Sequence, residues 1–104
     1  MSSPEEIKIE DDFIIIRFEN DSDETSHFER EVNVDLIQFH FGIKGRAKFI
    51  FNQGRYALDL KEELSLFLYN PQKELPVQLE IAPHSSVISL LISIKKFHGL
   101  FSSE

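Results

Sequence analysis

From residue 13 onward the apolar residues come in short runs of Ile, Phe, Val and Leu, with turn-forming residues between them. Residues 13–18 (Phe-Ile-Ile-Ile-Arg-Phe) read as a strand, and 27–34 as a second with a weaker pattern. Side chains on a pleated strand alternate between two faces, and 36–43 shows this most clearly. Ile37, Phe39, Phe41 and Ile43 fall on one face, and Leu36, Gln38 and His40 on the other. Lys44-Gly45 then offers a tight turn, because Gly accepts positive φ at little cost. Strand 46–51 follows, with Ala47, Phe49 and Phe51 on one face, and Asn52-Gln53-Gly54 suits a three-residue hairpin into 55–60. Residues 61–63 are a charged break. Residues 64–70 form a strand apolar on both faces, which must end near Asn70 because Pro71 cannot donate to a ladder. Residues 77–81 and 87–92 complete the set. Turn signals roughly every eight to ten residues predict an all-β sandwich or barrel of about seven to eight strands.

The period changes at the end of the chain. Ser93 can cap a helix, and Ile94, Phe97 and Phe101 follow at helical spacing. Residues 93–104 are therefore read as the start of a helical segment. Its single apolar side must lie on the barrel or belong to a longer helical region. Residues 1–6 are read as an acidic arm and 7–92 as the barrel.

Charge sharpens this division. The chain of 104 residues carries a net charge of −7. Residues 1–35 hold three basic and twelve acidic residues, a balance of −9 against +2 for the rest. The stretch 20–26 (Asn-Asp-Ser-Asp-Glu-Thr-Ser) reads as an exposed acidic loop, either solvated surface or a contact for a basic neighbour. It lacks the Gly and Glu of a calcium loop. An acidic chain has no electrostatic footprint for nucleic acid. One domain of this size hides roughly 60–68% of its unfolded surface. No cysteine is present, which excludes disulfides, thiolate metal sites and a cysteine nucleophile. No apolar run nears the roughly 20 residues that span a bilayer, and the acidic N-terminus is the reverse of a signal peptide. A cytoplasmic setting is expected.

Catalytic patterns are missing. The four histidines (His27, His40, His84, His98) include no metal pair such as His-x-His. No serine sits in Gly-x-Ser-x-Gly, the glycines are dispersed, and the adjacent carboxylates (Asp11-Asp12, Glu62-Glu63) have no environment to split their pKa values. His40, mid-strand between two Phe, stands out. It is either a hydrogen-bonded or edge-exposed structural histidine, or it lines a pocket with Gln38 as one of few polar contacts. Aromatic residues are 12% of the chain, ten of them Phe. Phe39, Phe41, Phe49 and Phe51 are in register for one core face. Leu36, Ile50, Ala57, Phe67 and Tyr69 give the other face apolar character, so a ligand, the chain's own helices or another subunit must cover it.

Three stretches carry a family resemblance: Ile37-Gln38-Phe39-His40-Phe41-Gly42-Ile43-Lys44-Gly45, then Phe49-x-Phe51-Asn52-x-Gly54-Arg55-Tyr56-x-Leu58, then Leu66-x-Leu68-Tyr69-Asn70-Pro71. Over about residues 35–102 the chain resembles the N-terminal, cupin-like effector domain of AraC-type transcriptional regulators. The resemblance implies a cupin-like barrel (double-stranded β-helix, or jelly-roll) with a short C-terminal helix. It also implies an unknown small-molecule effector inside the barrel, a homodimer formed through helices that follow the barrel, and DNA contact only through a helix-turn-helix domain outside this chain. Gln38, His40 and Tyr69 become the candidate ligand-binding residues, since the family register turns Gln38 and His40 inward. A metal-binding cupin would carry Glu where Gln38 stands and histidines near Val32, Val34 and residues 74–76. All are absent, so the resemblance implies no cofactor, no metal, no catalysis and no membrane role. Two alternatives stay open: a stand-alone cupin-like enzyme or small-ligand binder, and a β-barrel interaction module of the pleckstrin type, whose strands meander.

Overall fold

A computed structural model describes residues 4–51, 54–70, 72 and 75–101. Nine strands and one helix follow in order: β1 (Glu5–Glu10), β2 (Phe13–Asn20), β3 (Ser26–Arg30), β4 (Leu36–Lys44), β5 (Arg46–Phe51), β6 (Tyr56–Lys61), β7 (Ser65–Leu68), β8 (Val77–Ile81), β9 (Ser85–Ser93) and α1 (Ile94–Phe101). They form a five-stranded sheet, β1-β2-β9-β4-β7, and a four-stranded sheet, β3-β8-β5-β6. Every ladder is antiparallel. From β2 onward each connection except the β5–β6 hairpin carries the chain from one sheet to the other. That winding is a double-stranded β-helix. A meandering barrel pairs successive strands, so this strand order excludes the pleckstrin-type alternative.

Ile14, Ile16 and Phe18 of β2, Phe49 of β5, Leu79 and Ile81 of β8, and Leu91 of β9 fill the space between the sheets. The chain closes most tightly where β4 bulges next to the β6–β7 turn. There Gly42 N donates to Leu64 O, and Glu63 N to Gly42 O, so the turn that carries the chain between the sheets is bonded to β4. The two expected turns form as read: Gly45 and Gly54 both hold positive φ, 70° and 90°. Residues 52–53 of the second turn lie outside the described set.

Four expectations change. The acidic arm at 1–6 gives way to β1, which begins at Glu5. As an edge strand it is exposed throughout, and its charges flank Ile7 and Ile9 in the manner that protects a sheet edge. Apolar periodicity is weak there for that reason. The strand expected at 27–34 ends at Arg30, and that expected at 64–70 is only Ser65–Leu68. Finally, Phe39 and Phe41 do not join Phe49 and Phe51 in the core. They lie with Ile37 on the outer side of the five-stranded sheet, and Leu36, Gln38 and His40 point inside. Strand β4 is covered on both sides, by the second sheet and by α1, so both faces are apolar and hydrophobicity alone does not orient it.

The helix forms as its cap predicts. Lys96 N donates to Ser93 Oγ at 3.0 Å, and Ser93 Oγ donates to Asp12 Oδ2 at 2.7 Å. Phe97 lies against Phe39 with ring centroids 5.7 Å apart. On the opposite margin, Glu6 of β1 accepts two hydrogen bonds from the Arg30 guanidinium at the end of β3, clasping the edges of the two sheets. This bond holds the Glu6 carboxyl below the usual range. The pair is partly exposed, so Glu6→Gln is expected to cost no more than about 1 kcal/mol, read as the shift in a urea midpoint.

Candidate functional site

The polar residues singled out from sequence meet between the sheets. Gln38 and His40 are two residues apart on β4 and share its inward face, and Ser89 of β9 lies directly across the ladder from His40. The contacts form one chain. Gln38 Nε2 donates to the carbonyl of Leu75 at 2.5 Å. Its amide oxygen is therefore turned toward His40 Nε2, 2.9 Å away, and must accept. His40 thus carries its proton on Nε2, and Nδ1 accepts from the Ser89 hydroxyl at 2.5 Å. The ring packs on Phe49 at a centroid distance of 4.4 Å. Donor follows acceptor from β9 through β4 to the segment before β8. Among the described residues, no buried side-chain polar atom lacks a partner.

Burial sets the chemistry of this cluster. Gln38, His40 and Ser89 are at most 1% exposed. Desolvation pushes the His40 pKa down from 6.5 to about 4, so the ring is neutral at physiological pH. With both nitrogens engaged, His40 is neither a base open to a substrate nor a free ligand. The unfolded chain binds this proton below pH 6.5 and the folded chain does not until about pH 4. Stability must therefore be lost as pH drops from 6.5 to about 4, by about 3 kcal/mol. Denaturant unfolding measured at pH 7, 6, 5 and 4 checks this, and His40→Leu should flatten the slope.

Tyr69, the third candidate, is half-buried just beyond β7, and no contact places it in the cluster. Ser89 went unnoticed in the sequence. Its signal is a hydroxyl inside the apolar run Val87-Ile88-Ser89-Leu90-Leu91, where only a buried partner justifies it. The remaining histidines stand apart: His84 bonds Asp23 at 2.7 Å on the surface, His27 faces Glu80, and His98 packs edge-on against Phe97.

The inward-parity side chains of β6 are unevenly buried. Tyr56 and Leu58 of β6 pair with Phe51 and Phe49 of β5 and share their inward parity with buried Leu60. Yet Tyr56 is 64% and Leu58 43% exposed, against 2% for Leu60. Along β6 burial thus falls from Leu60, near the Gly42 corner, toward Tyr56 at the hairpin end.

Neither a family model nor a curated protein matches the sequence. Solved structures do match. An RmlC-like cupin protein from Desulfovibrio desulfuricans superposes with a TM-score of 0.66 at 11% identity, over 86% of this chain and 80% of that one. The fold is that of a cupin. A cupin superfamily protein from Desulfitobacterium hafniense gives 0.65 at 14% identity, over 88% and 76% of the two chains. A double-stranded β-helix protein from Klebsiella pneumoniae gives 0.66 at 12%, over 88% and 76%.

Many cupins hold a metal in the barrel, and the donors here do not fit one. Val32 is buried in the apolar core and Val34 is exposed. Gln38 is a neutral amide with both ends engaged, and the segment it would face presents Leu75 and Pro76. Residue 74 lies outside the described set. Among the described residues, no three His, Asp or Glu side chains converge. Among the described residues, no helix is long and apolar enough to cross a membrane.

Proposed function

We propose that this cupin barrel is the effector-sensing domain of an AraC-type transcription regulator, non-catalytic and metal-free, acting in the cytoplasm. The observation that carries the reading is a saturated neutral polar cluster on the inward side of β4, together with Tyr56 and Leu58, exposed although they share the inward parity of β6. These side chains offer apolar and aromatic surface for binding, and the buried histidine among them has both nitrogens engaged. A small molecule enters past Tyr56 and Leu58 and favours one arrangement of barrel and helix α1. That preference reaches DNA through a helix-turn-helix domain outside these residues. Chain departure through a capped helix after β9 suits this coupling, since α1 rests on strands whose other face encloses the ligand.

The test is thermal unfolding against two probe sets, monosaccharides and small aromatic acids. A probe held at 100 times its Kd is expected to add about 2.7 kcal/mol of stability, and Tyr56→Ala should diminish the shift. Failure of both sets to move the unfolding curve, or turnover of a probe, would overturn the reading and favour a stand-alone cupin-like enzyme or binder.

A further inference from the structure

A strand at the margin of a sheet offers unpaired backbone groups to any extended chain, and folded proteins blunt such margins with charge or by keeping them short. Among the described residues the two sheets have four margins: β1 and β7 in one, β3 and β6 in the other. Three are blunted. Strand β1 sets Glu5, Glu6, Lys8 and Glu10 around its two isoleucines, β3 carries His27, Glu29 and Arg30 in five residues, and β7 is four residues long. Strand β6 lacks both devices. Its six residues, Tyr-Ala-Leu-Asp-Leu-Lys, hold Asp59 as the one charge before the terminal lysine, and all but Leu60 are exposed.

Hydrogen-bond phase aims this margin. Bonded and non-bonded pairs alternate along an antiparallel ladder. Glu62 N donates to Gly45 O just past the Arg46–Lys61 pair. The pairs Ala47–Leu60 and Phe49–Leu58 therefore exchange bonds, and the N–H and C=O groups of Ala57 and Asp59 point away from β5. Among the described residues, no backbone group outside the ladder meets them. A strand laid against β6 finds two donors and two acceptors there, with Tyr56 and Leu58 exposed on the inward side. The outer side supplies a charge preference. Lys48 lies between Asp59 and Glu80, but Arg46 and Lys61 stand directly opposite each other. Like charges in that position repel. Among the described residues neither has a carboxylate partner, and Glu62, next along the chain, accepts from the Gly45 amide instead.

We infer that β6 is a docking edge for an extended peptide segment of another protein, which adds as an antiparallel strand to the smaller sheet. Its apolar residues face Tyr56 and Leu58, and a carboxylate faces Lys61 and Arg46. The inference goes beyond effector sensing. Backbone bonds to Ala57 and Asp59 supply affinity, and alternate side chains supply selectivity. The antiparallel direction matches every ladder in the molecule and is the stronger pairing. It brings the N-terminal end of the peptide to Lys61, so the carboxylate belongs near that end. A second copy of β6 fits less well: pairing Ala57 of each copy with Asp59 of the other sets Arg55 against Lys61, a further repulsion.

The probe is a capped peptide of about eight residues that alternates valine with threonine and carries glutamate in place of the first threonine. Its control carries lysine there. Both are titrated into the isotope-labelled intact chain and followed by amide NMR. The glutamate peptide is expected to shift the Ala57 and Asp59 amide signals saturably and to slow their hydrogen exchange. The lysine peptide should bind at least ~10-fold more weakly. Ala57→Pro removes an edge donor that β5 does not use, so binding read at Asp59 should weaken at least ~10-fold with the far-UV spectrum unchanged. Lys61→Glu should reverse the preference between the peptides, and it answers the question if the proline variant loses its fold. Signals indifferent to both peptides, equal binding of the two, undiminished binding by Ala57→Pro, or the same shifts on concentrating the chain alone would overturn the inference. Neither variant changes an inward side chain, so the response to effector probes persists in both, and a failure of peptide docking leaves effector sensing standing.

Discussion

Replacing His40 with Ala is expected to destabilise the domain by about 4 kcal/mol, measured by urea unfolding at pH 7. Two costs combine. The imidazole is fully buried against Phe49, so its removal leaves a cavity. It also satisfies Gln38 Oε1 and the Ser89 hydroxyl, and both would be left buried and unpaired. Filling the cavity separates the terms. His40→Leu restores volume and leaves only the polar penalty. Adding Ser89→Ala to His40→Leu should then recover about 1 kcal/mol, because the hydroxyl no longer needs a partner. A histidine kept for chemistry would show the opposite: little loss of stability on substitution and a large loss of some activity. If His40→Ala unfolds at the wild-type urea midpoint, the cluster is not the structural element described.

Gly42→Ala is the second large effect, about 3 kcal/mol or more. A methyl group at Gly42 would lie 2.1 Å from the carbonyl oxygen of Lys61. That neighbour is backbone, so no side-chain rotation relieves the overlap. Gly42 also exchanges hydrogen bonds with Leu64 and Glu63, so the corner where β6 turns into β7 must open to admit the methyl. Gly99→Ala provides the contrast. Nothing lies within 4 Å of its would-be methyl, and the residue is inside α1. That change should stabilise the domain by about 0.5–1 kcal/mol. Midpoints of the two variants measured side by side check both, and a Gly42→Ala protein as stable as wild type would contradict the tight corner.

These residues also show how far the chain reads without coordinates. Period-two alternation located the strands from β2 to β9, because each is covered on at least one side and carries its burial in its spelling. Gly45 and Gly54 were legible as turns, since only a residue without Cβ adopts positive φ cheaply. Ser93 was legible as a cap because capping is a local hydrogen bond. Strand β1 was not: an edge strand that must repel other edges looks like a charged arm. Nor was the direction of β4, where Phe39 outside and His40 inside invert the usual rule that the greasier face points to the core. That inversion follows from two tertiary facts, helix α1 lying on one side and a hydrogen-bonded histidine on the other. The candidate pair Gln38 and His40 was found by its oddity in an apolar strand. Ser89 and the Leu75 carbonyl, which complete the cluster, are 49 and 37 residues away from their partners and joined only by folding. Tyr69 was read from the second apolar face of the strand expected at 64–70, and it lies just beyond the end of β7.

A closed, neutral hydrogen-bond relay occupies the barrel interior. The His40 ring nitrogens report on it directly by long-range proton–nitrogen NMR, recorded from pH 8 to pH 3.5 with and without one equivalent of zinc or manganese. The expected spectrum shows a neutral ring protonated on Nε2, unchanged by either metal, taking up its second proton only near pH 4. A ring that titrates near 6.5, or whose signals shift or vanish with one equivalent of metal, would contradict the account.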